Sequence, residues 1–403
     1  MPHLRLAALA ALLTACGTAD ARESLVTVDS LPGGIPVVTT AAPLDSGQWT
    51  LVHERDVRPG EGEPGELLDP QDLALADDGT LYVAEQSPAI VNVYSPDGRY
   101  LRSIGREGAG PGEFHVGFIA LHGDTLVLQD PRNTRAVSYL ASDGTMLVTR
   151  PTTCCYWAPI RIDRQGRAVA RGMAPSDTSL DGQAFLRFPV GGTAVESLFV
   201  LERKPGGETP MWVIGDGKTM QMMTTVPLQP QSLYLPHPSG EFVTGWAGEY
   251  RIRFTRDGRD TTRIFGRPWT ALPVTAAEKQ QIVDQRVAQM LGNQMAGALS
   301  EEQLRRSFDI TKIPDLRPAY ETAWADGEGR IWVRQSSADT VAVHFDLFDA
   351  EGRWLDVLSL AEPSWAASSY RPLAFSRTHL ALAVEDEDGL PVVRIYRIAR
   401  SGS

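Results

Sequence analysis

The sequence predicts an all-β chain: a six-bladed β-propeller closed by an N-terminal outer strand, with a helical insertion between blades 4 and 5. Three observations carry this expectation. Short alternating apolar runs are separated by Asp-Gly-type turns, six of them after a first strand (a) and five after a third strand (c). The last unit lacks its outer strand (d), and a strand-like segment without a partner, residues 49–57, stands ahead of the first unit. The 37 glycines and 28 prolines exceed ordinary usage, ~12% together, while hydrophobic content is 42%, so the turn formers sit in a chain that can bury a core. This composition excludes a disordered, collagen-like or coiled-coil chain. A net charge of −12 with no basic block argues against nucleic acid as a partner.

Residues 1–5 carry one arginine, Arg5, and residues 6–13 are an apolar run. That run is far short of the ~20 residues of a membrane-spanning helix and fits the apolar region of a signal peptide. The segment that follows, Leu13-Thr14-Ala15-Cys16-Gly17, resembles the bacterial lipobox. The resemblance implies a signal peptide over 1–15, lipidation of Cys16 as the mature N-terminus, and a leader over 16–48. It also implies anchoring in the cell envelope, and Gly17 in place of an aspartate implies the outer membrane. An ordinary signal peptide that happens to contain a cysteine is the alternative. No later segment is apolar enough to span a bilayer.

The propeller is expected over 49–403. Its first unit, 69–114, parses as strands at 72–76, 80–85, 91–95 and 100–105, with turns at Asp77-Asp78-Gly79 and Asp97-Gly98. Later a–b turns fall at His122-Gly123-Asp124, Arg164-Gln165-Gly166, Pro238-Ser239-Gly240, 326–329 and 376–378. Later c–d turns fall at Asp143-Gly144, Gly191-Gly192, Asp257-Gly258 and Glu351-Gly352. The sixth unit stops after strand c at 392–399. Residues 60–67, just after 49–57, echo 108–114, just after strand d of the first unit. Residues 49–57 therefore take a strand-d position and close the ring, which leaves only short protected edges.

The stretch 69–114 resembles an NHL-type repeat, with a partial second match at 257–267. The chain as a whole is similar to a broad group of bacterial six-bladed propeller proteins, many of them predicted lipoproteins. Residues 23–40 resemble the leader of that group. The resemblance implies the fold and leaves function open, because propellers host binding, lactone hydrolysis, lyase chemistry and scaffolding alike.

The a–b and c–d turns are short, while the d–a connections carry insertions: 152–157, with Cys154, Cys155 and Trp157, then 203–232 and 266–318. All should lie on one face, and long loops on a rigid scaffold are where binding usually resides. Cys154 and Cys155 could form a strained vicinal disulfide or remain two small buried thiols. Capping boxes at Thr275–Glu278 and Ser300–Gln303 predict helices within about 273–310. Val283, Val287, Met290, Leu291 and Gln294 form one stripe there, which suits a lid over the channel or an ornament packed beside a blade. Strand b ends in Glu85, Asp130, Arg171, Trp246, Arg334 and Glu385, which are register-equivalent. Such a ring could bind a protein, peptide or glycan, or could be polar only because strand ends meet water.

The sequence has no GxSxG, HExxH, CxxC, Walker or dinucleotide-binding glycine signature, and its seven histidines lack metal-ligand spacing. No cofactor or metal is therefore expected. The expected function is that of a monomeric, membrane-anchored binding or scaffolding module without catalysis. The alternative is a propeller enzyme, a lactone hydrolase or lyase, with a divalent metal in the channel and a site drawn from several blades.

Overall fold

The structure, a computed structural model, describes residues 24–115, 117–152, 158–173, 182–201, 210–215, 221–292, 299–366 and 372–402. Cys16, Cys154, Cys155, Trp157 and Gln294 lie outside them.

Six antiparallel four-stranded blades form the ring, five as separate sheets and the fourth extended to six strands by an N-terminal hairpin. Blade 1 is Pro70–Leu75, Leu81–Gln86, Ala89–Tyr94 and Tyr100–Ile104. Blade 2 is Phe118–His122, Thr125–Asp130, Arg135–Leu140 and Met146–Pro151. Blade 3 is Arg161–Ile162, Arg167–Arg171, Gly182–Pro189 and Glu196–Leu201. Blade 4 is Ser232–Pro236, Phe242–Trp246, Arg251–Thr255 and Thr261–Gly266. Blade 5 is Thr322–Ala325, Ile331–Arg334, Val343–Phe348 and Trp354–Leu360. Blade 6 is Leu373–Phe375, His379–Glu385, Pro391–Arg400 and the N-terminal strand Trp49–Val57. That strand pairs antiparallel with Pro391–Arg400 from Trp49↔Arg400 to Val57↔Val393, as the missing sixth outer strand required.

The predicted turns fall between these strands because their chemistry suits tight reversals. Gly258 has φ +83, and a Cβ there would lie 2.4 Å from the Leu201 backbone nitrogen in blade 3, so both dihedral and space demand glycine. A recurring Asp-x-x-Gly-Arg turn adds a second device. Asp163 accepts from the Gln165 and Arg167 amides and from Arg167 Nε at 2.7 Å. Asp326 and Asp349 repeat this with Arg330 and Arg353. Six apolar clusters of described residues hold the ring, one at each junction of neighbouring blades. The junction of blades 3 and 4 has the smallest, in which Val169, Phe185 and Val200 meet Phe242.

Within the leader the structure adds what the sequence reading did not. Val26–Leu31 and Ile35–Thr40 form a hairpin, and its second strand pairs parallel to the outer strand of blade 4, from Val37↔Ile264 to Thr39↔Gly266. The chain then runs along blade 5. Leu44 N donates to Trp354 O at 3.0 Å, Asp45 N donates to Leu355 O at 2.8 Å, and the Asp356 carboxylate accepts from the Gly47 and Trp49 amides. Residues 26–57 thus strap the outer rims of blades 4, 5 and 6.

The two long insertions share one small core. The hairpin Met211–Gly215/Gln221–Thr225 packs against α1 (Ala276–Leu291) and α2 (Glu301–Ser307). Trp212, Ile214 and Val226 meet Val283, Val287, Leu304 and Phe308. Trp212 Nε1 donates to Asp309 O at 2.9 Å, and its ring stands edge-on to Phe308 at 5.0 Å. The Ser300–Gln303 capping box is complete. At Thr275 only half of the expected box forms: Thr275 accepts from Glu278 N, but the Glu278 carboxylate pairs with Arg317 instead. The buried stripe of α1 consists of Val283 and Val287 with Met290 partly packed, whereas Leu291 is exposed.

Candidate functional site

The six a strands line a central channel that holds two cavities. One, of about 300 Å³, opens on the face that carries the insertions; the other, of about 630 Å³, opens on the face of the a–b turns. Arg161, Leu235, Pro236, Trp324 and Leu373 border both and so mark the waist.

The insertion-face mouth draws on blades 1, 3, 4, 5 and 6. Phe185, Tyr234, Trp324 and Trp365 give it aromatic walls, with the Trp324 and Trp365 rings 5.7 Å apart. Asp72, Arg161, Arg171, Gln183 and Glu321 give it polar ones. Asp72 accepts from the Ile119 amide at 2.9 Å and so staples blade 1 to blade 2. Burial pushes its carboxyl up to about 6, against the opposing pull of the Arg161 charge and of the Ile119 and Leu73 amides. Burial likewise raises Glu321, opposed by the charges of Arg334 and Arg317. Arg334 Nε lies 2.8 Å from Glu321 Oε2, and its guanidinium stacks 5.4 Å from the Trp365 ring centre. Glu278, Arg317, Glu321 and Arg334 form a chain of alternating charge from α1 to the mouth. Trp365 is 1% exposed, and its indole N–H has no hydrogen-bond partner among the described residues.

The strand-b ends predicted from sequence separate into supports and mouth residues. Glu85 is buried and accepts from the Leu68 and Asp69 amides, holding the loop that enters blade 1. Asp130 is buried and accepts from the amides of His115, Arg132 and Asn133. Arg334 braces Trp365 from behind. Arg171 borders the cavity. Trp246 folds over Gly248, where a Cβ would come within 2.0 Å of its ring, and Glu385 is exposed at the end of its strand. Neither Trp246 nor Glu385 is among the residues lining the mouth. Cys154, Cys155 and Trp157 fall outside the described residues, but the next residues, Ala158 and Pro159, line the mouth.

Sequence reasoning missed Asp72, Arg161, Tyr234, Glu321, Trp324 and Trp365. The available signal was polar or aromatic residues in or beside strand a, the one strand whose exposed side faces the channel. Among the described residues, no residue of α1 or α2 lines the mouth, so the helices pack on the insertion hairpin. Among the same residues, no three His, Cys, Asp or Glu side chains come together as a metal-ligand group, and no helix is long and apolar enough to cross a membrane.

The chain matches no protein-family profile and no curated protein sequence. Solved structures similar to it include an exported protein from Bacteroides fragilis, at 10% identity over 90% of this chain and 98% of the other, with TM-score 0.46. The calcium-binding protein regucalcin from Agrobacterium tumefaciens is 9% identical over 87% and 96%, with TM-score 0.39. Streptogramin B lyase is 9% identical over 87% and 98%, with TM-score 0.40. This likeness is one of overall shape.

Proposed function

We propose that this protein is a binding lipoprotein of the bacterial envelope, tethered through Cys16, that receives a polar ligand in the insertion-face mouth of its channel. The ligand is a glycan, or a segment of a peptide or protein. The observation that carries the reading is the composition of that mouth: aromatic walls and charged or amide side chains from five blades, converging on about 300 Å³. Rigid strands hold these groups, and preorganisation of this kind lowers the cost of binding. The strap supports the tether. The ten Cα-to-Cα steps from Cys16 to Val26 reach at most roughly 36 Å, so the anchor emerges near the rim of blade 4, which both large insertions flank in sequence.

Three experiments test it. A photo-crosslinking residue at Gln231, on the rim of the mouth, should give a defined adduct in intact cells, and Trp324→Ala should weaken it. Turnover of a lactone by the pure protein, switched on by calcium or magnesium, would replace the binding reading with the enzyme reading. Cys16→Ala should release the protein from membranes; continued flotation with them would remove the lipid anchor from the account.

A further inference from the structure

The mouth has an electrostatic asymmetry that bears on its ligand. Arg161 carries five N–H donors, and the described contacts use one, from Nη1 to Ile160 O at 2.8 Å. It forms no ion pair within the described structure, although it stands at the waist of a channel in a chain of net charge −12. Asp72 feels the Arg161 charge without forming an ion pair with it; its carboxylate is buried and accepts from the Ile119 amide. A half-buried arginine with donors to spare at the waist of a channel is placed to receive an anion by charge-assisted hydrogen bonds. A second observation points the same way. Trp365 borders the same cavity, and its buried indole N–H has no acceptor among the described residues, whereas buried donors nearly always find one.

We infer that the ligand of this mouth is a sugar acid: a pyranose-sized ring whose carboxylate is received by Arg161 and whose ring lies among Trp324, Trp365 and Tyr234. The inference rests on the reading of the mouth as a binding site and adds the ligand class. The cavity volume suits one such ring and is at the small end of ligand sites. Aromatic faces take the C–H side of a pyranose, the Trp365 N–H donates to one of its oxygens, and Gln183, whose amide nitrogen already donates to Gly172 O and Ala184 O, is left with its side-chain oxygen to accept from a hydroxyl. The charged groups facing Asp72 across the cavity are Arg161 and Arg171 of blade 3 and Glu321 of blade 5. An ionised Asp72 competes with the ligand for the field of Arg161, so sugar-acid affinity rises as pH falls.

The test is calorimetric titration of the full lipidated chain in detergent with D-glucuronate and D-glucose, at pH 5.5 and 7.5. Glucuronate should bind at least tenfold more tightly than glucose, and more tightly at pH 5.5. Arg161→Gln should weaken glucuronate at least tenfold, with Arg161→Lys in between. Asp72→Asn, which keeps an acceptor for the Ile119 amide, should strengthen binding at pH 7.5 and flatten the pH profile. Trp365→Phe should weaken binding severalfold, and it serves as the test if the Arg161 variants do not fold. Equal affinity for the two sugars, glucuronate binding that survives Arg161→Gln, or no binding at millimolar concentration would overturn the inference. If a crosslink from position 231 persists in that case, only the ligand class has failed. If the crosslink is absent as well, the binding reading falls with it.

Discussion

Asp72 and Glu85 show what burial does to a carboxylate inside this ring. Both are raised by desolvation, Asp72 to about 6 and Glu85 to about 7, against the pull of the backbone amides they accept from. The native pKa of each lies above its unfolded value, so between roughly pH 4 and pH 7 the folded chain holds protons that the unfolded chain has released. Stability from these two groups therefore falls as pH rises through that window. Thermal melts from pH 4.5 to 7.5 should show a decline in the parent that Asp72→Asn and Glu85→Gln each reduce. Parallel profiles in all three proteins would contradict the assignment. Glu321 makes the complementary case. Replacing it with leucine removes the carboxylate 2.8 Å from Arg334 Nε; the Glu321 side chain is 28% exposed and Arg334 still donates to Trp365 O, so the cost is about 1–3 kcal/mol. Denaturant unfolding of Glu321→Leu should register a loss of that order.

At the scale of elements, the a–b and c–d turns were legible because their residues carry their own geometry, as the positive φ at Gly258 illustrates. Closure by Trp49–Val57 was legible by subtraction, from six turns of one kind and five of the other. The strap was not. Val26–Leu31 is almost wholly exposed, so no buried alternation marks it, and its partner strand is defined only by the rim of a blade more than two hundred residues away. The mouth was poorly legible for a related reason. Its residues come from five blades, and only the closed ring makes Asp72, Arg161, Trp324 and Trp365 neighbours. Glu278 followed its capping-box signature only in its backbone, because Arg317 offers its carboxylate a charged partner. These elements make separable predictions. Trp212→Ala should cost about 3–5 kcal/mol within the insertion core, loosening α1 and α2 in hydrogen exchange while the blades stay protected. Exchange rising equally across the blades would mean that the insertion is integral to the ring. Val57→Asp buries a charge at the closing junction, where Val57 is 1% exposed, and should open blade 6 first.

At the scale of the whole molecule, one chain makes a ring from six junctions and returns its first strands to the outside. The strap ties the rims of blades 4 to 6, and aromatic rings pack across the junctions there, where Phe254, Phe265 and Phe348 meet and Trp332 packs on Phe375. The lightest junction, between blades 3 and 4, lies beneath the mouth-lining residues Phe185 and Tyr234, whose rings are 6.4 Å apart. The two channel openings differ in kind. The turn-face cavity is larger and ringed by turns whose acids and arginines are engaged, such as Asp326 with Arg330 and Asp77 with Arg377. The insertion-face mouth is smaller, walled by aromatics, and holds the Trp365 N–H, which has no acceptor among the described residues; at the waist it shares with the other cavity stands Arg161, which has no ion pair among the same residues. The measurement that bears most directly on this difference compares photo-crosslinking from position 231 on the insertion face with position 377 on the turn face, in the same cells. The account predicts a discrete adduct from 231, weakened by Arg161→Gln, and none from 377. Adducts of equal yield from both faces, or from 377 alone, would contradict it.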